Sequence, residues 1–412
     1  MHPRGLGPEV DLQDDSKGYL TGTHRGVSPA RTVERVKALM PQMGITRIAN
    51  VTGLDRIGIP VVMVCRPNAR SLAVSQGKGW DLEAATASGL MEAAELYHAE
   101  HIELPLKFGS MAELRHAHEF VDVGRLARTS DRFHPNLVTL WAEGRDLISG
   151  TARWLPYETV RANLTLPQPP GSGCFDCSSN GLASGNSMIE AICHAICEVI
   201  ERDATAMWKA STPDLRAATG IDPESVTDAA CRAVLARLGE TDFDVTVWDI
   251  TSDIGVPSFY TLLSDRRDPL QHVGIGVGTH PSRAIALLRS LTEAVQVRTT
   301  YISGARDDLS PVEYSVAERS RKAEIASIWR EAHLPSREFA AIPEFLSDNF
   351  GDDLEWLLTR LRRVGITEVV AVDLTKASLG IPVVKVVIPG LEGPDDHAGY
   401  IPGERARSRG RA

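Results

Sequence analysis

Residues 179–204 read SNGLASGNSMIEAICHAICEVIERDA. The glycines supply a tight turn, and Ser187 or Asn186 is placed to cap the helix that follows. From Met188 to Ile200 every residue is apolar except Glu190, His194 and Glu198, so this helix is predicted to be largely buried. At roughly 100° per residue, Glu201 returns to within about 20° of Glu190, and Glu198 to within about 80°. Three carboxylates therefore share one stripe of an otherwise greasy helix.

Buried carboxylates without partners cost several kcal/mol each, so this stripe needs cations. Two more helical segments, about 84–103 and 281–303, carry acids in apolar surroundings. In the first, ASGLMEAAELYHAE places Glu92 and Glu95 as i,i+3 neighbours. In the second, RSLTEAVQVR places Arg289 and Glu293 as i,i+4 neighbours, with Gln296 and Arg298 following. If these helices converge, their centre holds six acids and two arginines, which protein cations alone do not neutralise. Hard divalent ions with oxygen ligands do so, and Mg²⁺ is commonly shared between carboxylates and substrate phosphates. That chemistry points to a nucleotide held through metal. The usual backbone cradles are absent: GKG at 77–79 lacks the upstream Gly and following Ser/Thr of a P-loop, and no GxGxxG opens a helix.

The surrounding chain repeats one phrase. Residues 44–64, GITRIANVTGLDRIGIPVVMV, read as strand, turn and a second strand opened by Pro60. Residues 354–390 repeat helix, GIT, strand, turn, GIPVV and strand, and a looser copy spans 234–263. The repeats predict a mixed α/β (α+β) fold in which helix–strand–turn–strand units form one mixed sheet system with helices on a face. Residues 1–30 are expected to be an arm, 31–392 one elaborated domain, and 393–412, ending RARSRGRA, a flexible tail. Residues 304–350 read as an irregular insertion with short helices.

The 412 residues are 43% hydrophobic and 24% charged, enough to bury a core. The net charge of −10 argues against loose binding to a nucleic-acid backbone. No segment has the length of a membrane span, and residues 1–15 show no secretion signal, so a cytoplasmic protein is expected. Six cysteines make no disulfide framework. Cys174 and Cys177, in CFDC, and the helical Cys193 and Cys197 have the count for a zinc site, but the latter pair occupies core positions. His194 reads as a core histidine sooner than a metal ligand. Trp208, Trp248 and Trp356 read as core filling.

VTGLDRIGIPV, SLAVSQGKG, the 179–204 block and the EAVQVR helix closely resemble the YcaO family, over roughly residues 15–403. The resemblance implies a YcaO-type fold that binds ATP and Mg²⁺, phosphorylates a peptide backbone amide oxygen, and lets a nucleophile replace that oxygen. Carried over by motif, Glu92, Glu95, Glu190, Glu198, Glu201 and Glu293 would hold metal, Arg202 and Arg289 would hold phosphate, and Glu201 would join them in catalysis. Asn186, Ser75, Lys78, Gln296 and Arg298 would contact the nucleotide, with Lys17 a further phosphate contact. The ending PGLEGPDDHAGYIPG lacks the PxPxP tail of azoline-forming members. With the GTHR arm it looks like the branch that works beside a TfuA-like protein and is linked to thioamide formation with sulfide. The implied partners are that protein and a peptide or protein substrate, with room for a homodimer. An azoline-forming cyclodehydratase and a non-catalytic accessory factor for ribosomal-protein modification stand as alternatives.

Overall fold

The computed structural model describes residues 15–268, 270–335, 337–396 and 399–409. Residues 1–14 of the arm and 397–398 and 410–412 of the expected tail lie outside the described residues. In chain order the elements are α1 (Pro29–Lys37), β1 (Arg47–Asn50), β2 (Val61–Cys65), β3 (Val74–Lys78), α2 (Leu82–Glu100), β4 (Leu106–Ser110), α3 (Met111–Leu114), β5 (Val138–Asp146), β6 (Ala152–Pro156) and β7 (Leu182–Ser184). The acid-bearing α4 (Met188–Ala210) follows, then α5 (Pro213–Ala217), α6 (Ala229–Glu240), β8 (Phe243–Asp249), β9 (Ser258–Asp265), β10 (Gly274–Thr279) and α7 (Arg283–Ser303). The chain continues with α8 (Val316–Ala332), α9 (Phe350–Arg363), β11 (Val370–Asp373), β12 (Val383–Val387) and α10 (Glu404–Arg409).

The fold is mixed helix and sheet, and the repeats are real. Each is a helix followed by three antiparallel strands and a second helix. The first runs α1, β1-β2-β3, α2, and the second α6, β8-β9-β10, α7. The third takes α9, β11 and β12 from late in the chain, and its third strand and second helix are β7 and α4, from far earlier. β7 pairs antiparallel with β12 through Val383↔Ser184 and Lys385↔Leu182. In all three repeats three residues join the last strand to the helix: 79–81, 280–282 and 185–187.

The expectation of one sheet system is corrected. Among the described residues there are two three-stranded sheets and a six-stranded sheet in which β11 also pairs with β5, which carries β4 and β6. The first two repeats each keep their own sheet, whereas the third is extended through β11 by the β4–β6 strands. Residues 304–350 are also more regular than expected, since α8 runs for 17 residues from the Ser315 cap. The tail differs most, because α10 forms and packs on α4.

Glycines set how closely sheet and helix approach. A Cβ on Gly77 would stand 1.9 Å from the Ala85 carbonyl oxygen, and one on its counterpart Gly278 would stand 2.1 Å from that of Ala286. Only hydrogen fits there. Around α4, Ile189, Ile192, Ile196 and Ile200 pack with Leu357 and Leu361 of α9 and with Val384 and Val386 of β12. The apolar run in α4 is thus buried on nearly all sides, as its sequence requires.

Candidate functional site

Because the three connectors have equal length, positions in α2, α4 and α7 correspond one to one. Glu92, Glu198 and Glu293 each stand ten residues after the first residue of their helix. Glu95, Glu201 and Gln296 form a second equivalent set three residues later, and Ser88, His194 and Arg289 a third, four residues before the first. Repetition of the fold therefore delivers the acids in a ring.

Exposure shows where the ring faces. Along the buried middle of α4 the half-buried residues are His194, Glu198 and Arg202, spaced by four. On α7 they are Arg289, Glu293 and Val297. A stripe with four-residue spacing that stays accessible on a buried helix lines an internal cleft.

Within it, the Lys78 Nζ donates to Glu293 Oε2 at 2.6 Å, and the Val277 N–H donates to Glu293 Oε1 at 3.4 Å. The Gln76 N–H donates to Glu92 at 3.3 Å, the same strand-to-helix bond in the first repeat. The N–H and hydroxyl of Ser184 both donate to Glu95 Oε1, at 2.8 and 2.6 Å. Arg202 lies 3.9 Å from Glu198, one turn before it.

The acids feel each other. Burial lifts the Glu95 carboxyl to about 8 despite the Ser184 bonds, with Glu92 and Glu198 adding to the rise. Burial and then Glu293 lift Glu201 to about 7. Glu92 and Glu198 are also raised by burial, against the pull of Lys78 on the first and Arg202 on the second. At Glu293 burial is outweighed by Lys78, Arg202 and Arg289, which hold it below the ordinary range. Burial pushes His194 well below its usual range, and Arg289 and Arg25 deepen the shift.

The donor set fits a hard cation shared with phosphate. Among the described residues Glu92, Glu95 and Glu201 make no ion pair, and burial raises their carboxyls. No group of three His, Cys, Asp or Glu side chains among the described residues is disposed to hold a metal alone. Mg²⁺ does not require such a cage when substrate phosphates complete its shell. Among the described residues the buried Nε of Arg289, Nδ1 of His194 and Nε2 of Gln76 have no hydrogen-bond partner, which leaves polar groups unspent around the cleft.

The expected site residues fall into three groups. Glu92, Glu95, Glu198, Glu201, Glu293, Gln296, Arg202, Arg289 and Lys78 belong to the ring and its cations. Glu190 and Asn186 lie at the start of α4, where the arm engages the first and α1 the second. Glu190 accepts from the Gly26 N–H at 3.0 Å and faces Arg25 at 3.5 Å. The Asn186 Oδ1 accepts from Thr32 and Arg35, at 3.0 and 3.1 Å, and its amide donates to Glu190. Ser75 sits on the other face of β3 from Lys78, only 1% exposed.

Two expectations are corrected. Arg298 is not placed for a nucleotide: Asp55 at 2.7 Å, Asp265 at 3.1 Å and the His272 carbonyl at 2.9 Å take its donors. Lys17 is paired with Asp353 at 2.7 Å and with Ser347, in a buried contact that docks the arm. The four candidate zinc cysteines are free, and burial raises their thiols.

His194, expected as a core histidine, shares the cleft stripe with Glu198 and Arg202, a signal visible in its i+4 spacing. Two residues escaped the sequence reading. Arg25 of the arm and Lys385 of β12 arrive from distant segments, and no local pattern announced them.

Residues 76–392 match the family model described as YcaO cyclodehydratase, ATP- and Mg²⁺-binding. A protein of Rhizobium leguminosarum bv. trifolii, described as an uncharacterized protein in the tfuA 3′ region, is 35% identical over 389 residues, covering 93% of this chain and 92% of that one. YcaO from Methanopyrus kandleri, solved with AMPPCP and Mg²⁺, superposes with a TM-score of 0.72 at 22% identity over 92% of this chain and 95% of that one. A heterocyclase solved with substrate and cofactor gives a TM-score of 0.73 at 24% identity, covering 92% of this chain and 54% of that one.

Proposed function

The chain belongs to the YcaO family, and from that premise we propose that it uses ATP and Mg²⁺ to activate a peptide backbone amide, with thioamide formation beside a TfuA-like partner as its reaction. Residues 31–392 act as one catalytic domain in this reading. The observation that carries it is the ring: Glu92, Glu198 and Glu293 at one equivalent position, and Glu95, Glu201 and Gln296 at the next.

An amide oxygen is a poor leaving group until it bears phosphate. In the first step the amide oxygen bonds to the γ-phosphorus and ADP departs with the electrons of the broken P–O bond. In the second, sulfide adds to the amide carbon, and phosphate leaves with the C–O electron pair while a proton is lost. Bound Mg²⁺ would neutralise charge on the triphosphate. Glu92, Glu95, Glu198, Glu201 and Glu293 are the residues to hold it, with Glu190 an outer acid oriented by the arm. Arg202 and Arg289 supply planar donors for phosphate oxygens, and Lys78 supplies a point charge. Phosphoryl transfer asks little else of a protein than positioning and charge stabilisation.

The thioamide branch is supported by the Rhizobium relative, which is described as lying in the tfuA 3′ region. The cyclodehydratase description of the family favours azoline formation as the second reading. One experiment separates them. The protein, a TfuA-like protein, a candidate peptide, ATP and sulfide are mixed, and the peptide is weighed. Exchange of oxygen for sulfur is the expected result, loss of water would establish the azoline route, and unchanged mass without ADP would overturn both. Glu201→Gln is expected to abolish modification while leaving a folded chain.

A further inference from the structure

The described residues after β12 do not trail into solvent. They cross α4 and are pinned to it at Asp203, which is fully buried. Arg405 of α10 grips that carboxylate with two donors, Nε to Oδ1 at 2.8 Å and a terminal nitrogen to Oδ2 at 2.9 Å. The Glu392 N–H adds a third donor to Oδ1 at 3.1 Å. Glu392 in turn closes its own loop, accepting from the Tyr400 hydroxyl at 2.8 Å and from the N–H groups of Gly403 and Ala406 at 2.7 and 2.8 Å. Between these points Asp395 pairs with Lys209 of α4 at 3.0 Å. Arg405 also reaches Asp253, on the β8–β9 connection, at 2.6 Å.

Asp203 is two residues beyond Glu201 and one beyond Arg202, and it points about 160° away from Glu201 on the helix projection. The turn that presents Glu198, Glu201 and Arg202 to the cleft is therefore held from behind by a bidentate ion pair. We propose that residues 392–396 and 399–406 form a clasp in which Arg405 is a positioning residue: through Asp203 it fixes the rotation of α4 that aims Glu198, Glu201 and Arg202 at the bound nucleotide. This rests on the reading of the cleft as the nucleotide site. A buried, doubly hydrogen-bonded pair is directional where a surface pair is not, so its loss lets the helix turn and dilutes the ring.

The test compares the full-length chain with Arg405→Ala, Arg405→Lys and Asp253→Asn. Affinity for AMPPCP with Mg²⁺ is measured by calorimetry at a temperature well below each melting point, and amide hydrogen exchange is followed in α4 and α7. Arg405→Ala is expected to weaken nucleotide binding at least tenfold and to speed exchange across 198–205 while α7 is unchanged. Arg405→Lys restores part of the affinity, and Asp253→Asn, which removes only the outer contact, matches the parent. A folded Arg405→Ala chain with parental affinity and parental exchange in α4 would overturn the clasp. Should Arg405→Ala fail to fold, Tyr400→Phe, which loosens the Glu392 loop alone, is expected to give a smaller shift of the same kind, and no shift would overturn the proposal. If the parent itself binds no nucleotide, the nucleotide reading falls, and exchange in α4 alone decides whether the clasp exists.

Discussion

Lys78 and Glu293 come from different repeats and meet at 2.6 Å across the cleft. Both are partly accessible, with 18% and 21% of their side chains exposed. Such a pair contributes at most about 1 kcal/mol to the fold. Its position matters more, since Lys78 stands in for positive charge among acids that a metal–phosphate group would otherwise satisfy. Lys78→Met is expected to shift the melting point little and to weaken nucleotide binding roughly tenfold or more, the scale of a lost charged hydrogen bond. Calorimetry against AMPPCP with Mg²⁺ reads this, and unchanged affinity would remove Lys78 from the site.

The raised carboxyls give the protein a distinctive response to pH. Glu95 near 8 and Glu201 near 7 keep protons in the folded chain that the unfolded chain releases near 4.5. The native state then binds more protons than the unfolded state, so these groups weaken the fold as pH rises from about 4.5 toward 8. His194 and His24, held low by burial, act in the opposite direction below about 6.5. In the metal-free chain, Glu95→Gln is expected to raise the melting point at about pH 8 and to leave it nearly unchanged at about pH 5.

Metal binding should show the same protons leaving. Addition of Mg²⁺ with nucleotide at about pH 7 is expected to release protons, measurable as a dependence of binding heat on the buffer's ionisation enthalpy. Glu201→Gln and Glu95→Gln should each reduce that release. A buffer-independent heat would contradict the assignment of these acids to the metal.

Gly276 tests the fold rather than the chemistry. A Cβ there would fall 1.9 Å from the Ser290 carbonyl oxygen and 2.4 Å from the Ala294 nitrogen, both backbone atoms of α7. Gly276→Ala is expected to destabilise the chain by about 1–3 kcal/mol or more, the range for overpacking, and to displace the turn that carries Glu293. Denaturant unfolding checks the first effect and nucleotide affinity the second.

Arg298 gives the contrasting case. Removing it leaves Asp55 and Asp265 buried with less compensation, so Arg298→Met is expected to cost about 3–5 kcal/mol of stability. Denaturant midpoints measure this, and a folded variant that lost only nucleotide affinity would return Arg298 to the site.

Much of this was legible in the residues. The acidic stripe of α4 could be seen because carboxylates in a run of Ile, Ala and Cys violate the usual partition, and such a violation has few causes. The repeats could be seen in GIPVV and GIT. Two things could not be seen. Equivalence of the three acid positions depends on β7 completing the repeat begun by α9, a pairing across about 200 residues that leaves no local signature. Arg298 and Arg289 lie on one helix in similar company, and only the approach of Asp55 and Asp265 from other segments separates a core ion pair from a cleft arginine. Residues 393–412 read as a tail because their sequence is short of apolar residues. The order of those described comes instead from charged groups closing on Asp203 and Glu392, and charge alone in a sequence does not say whether it is paired.

The borrowed strand has a consequence for biosynthesis. As the chain leaves the ribosome, β7 and α4 appear when their strand partner has not yet been made, and they wait for roughly half the polypeptide before β12 arrives. The first two repeats can assemble in order from neighbouring segments, whereas the third closes late. The helix that carries Glu190, Glu198 and Glu201 therefore stays without its sheet through much of translation, and the cleft is completed only in a chain already translated through β12.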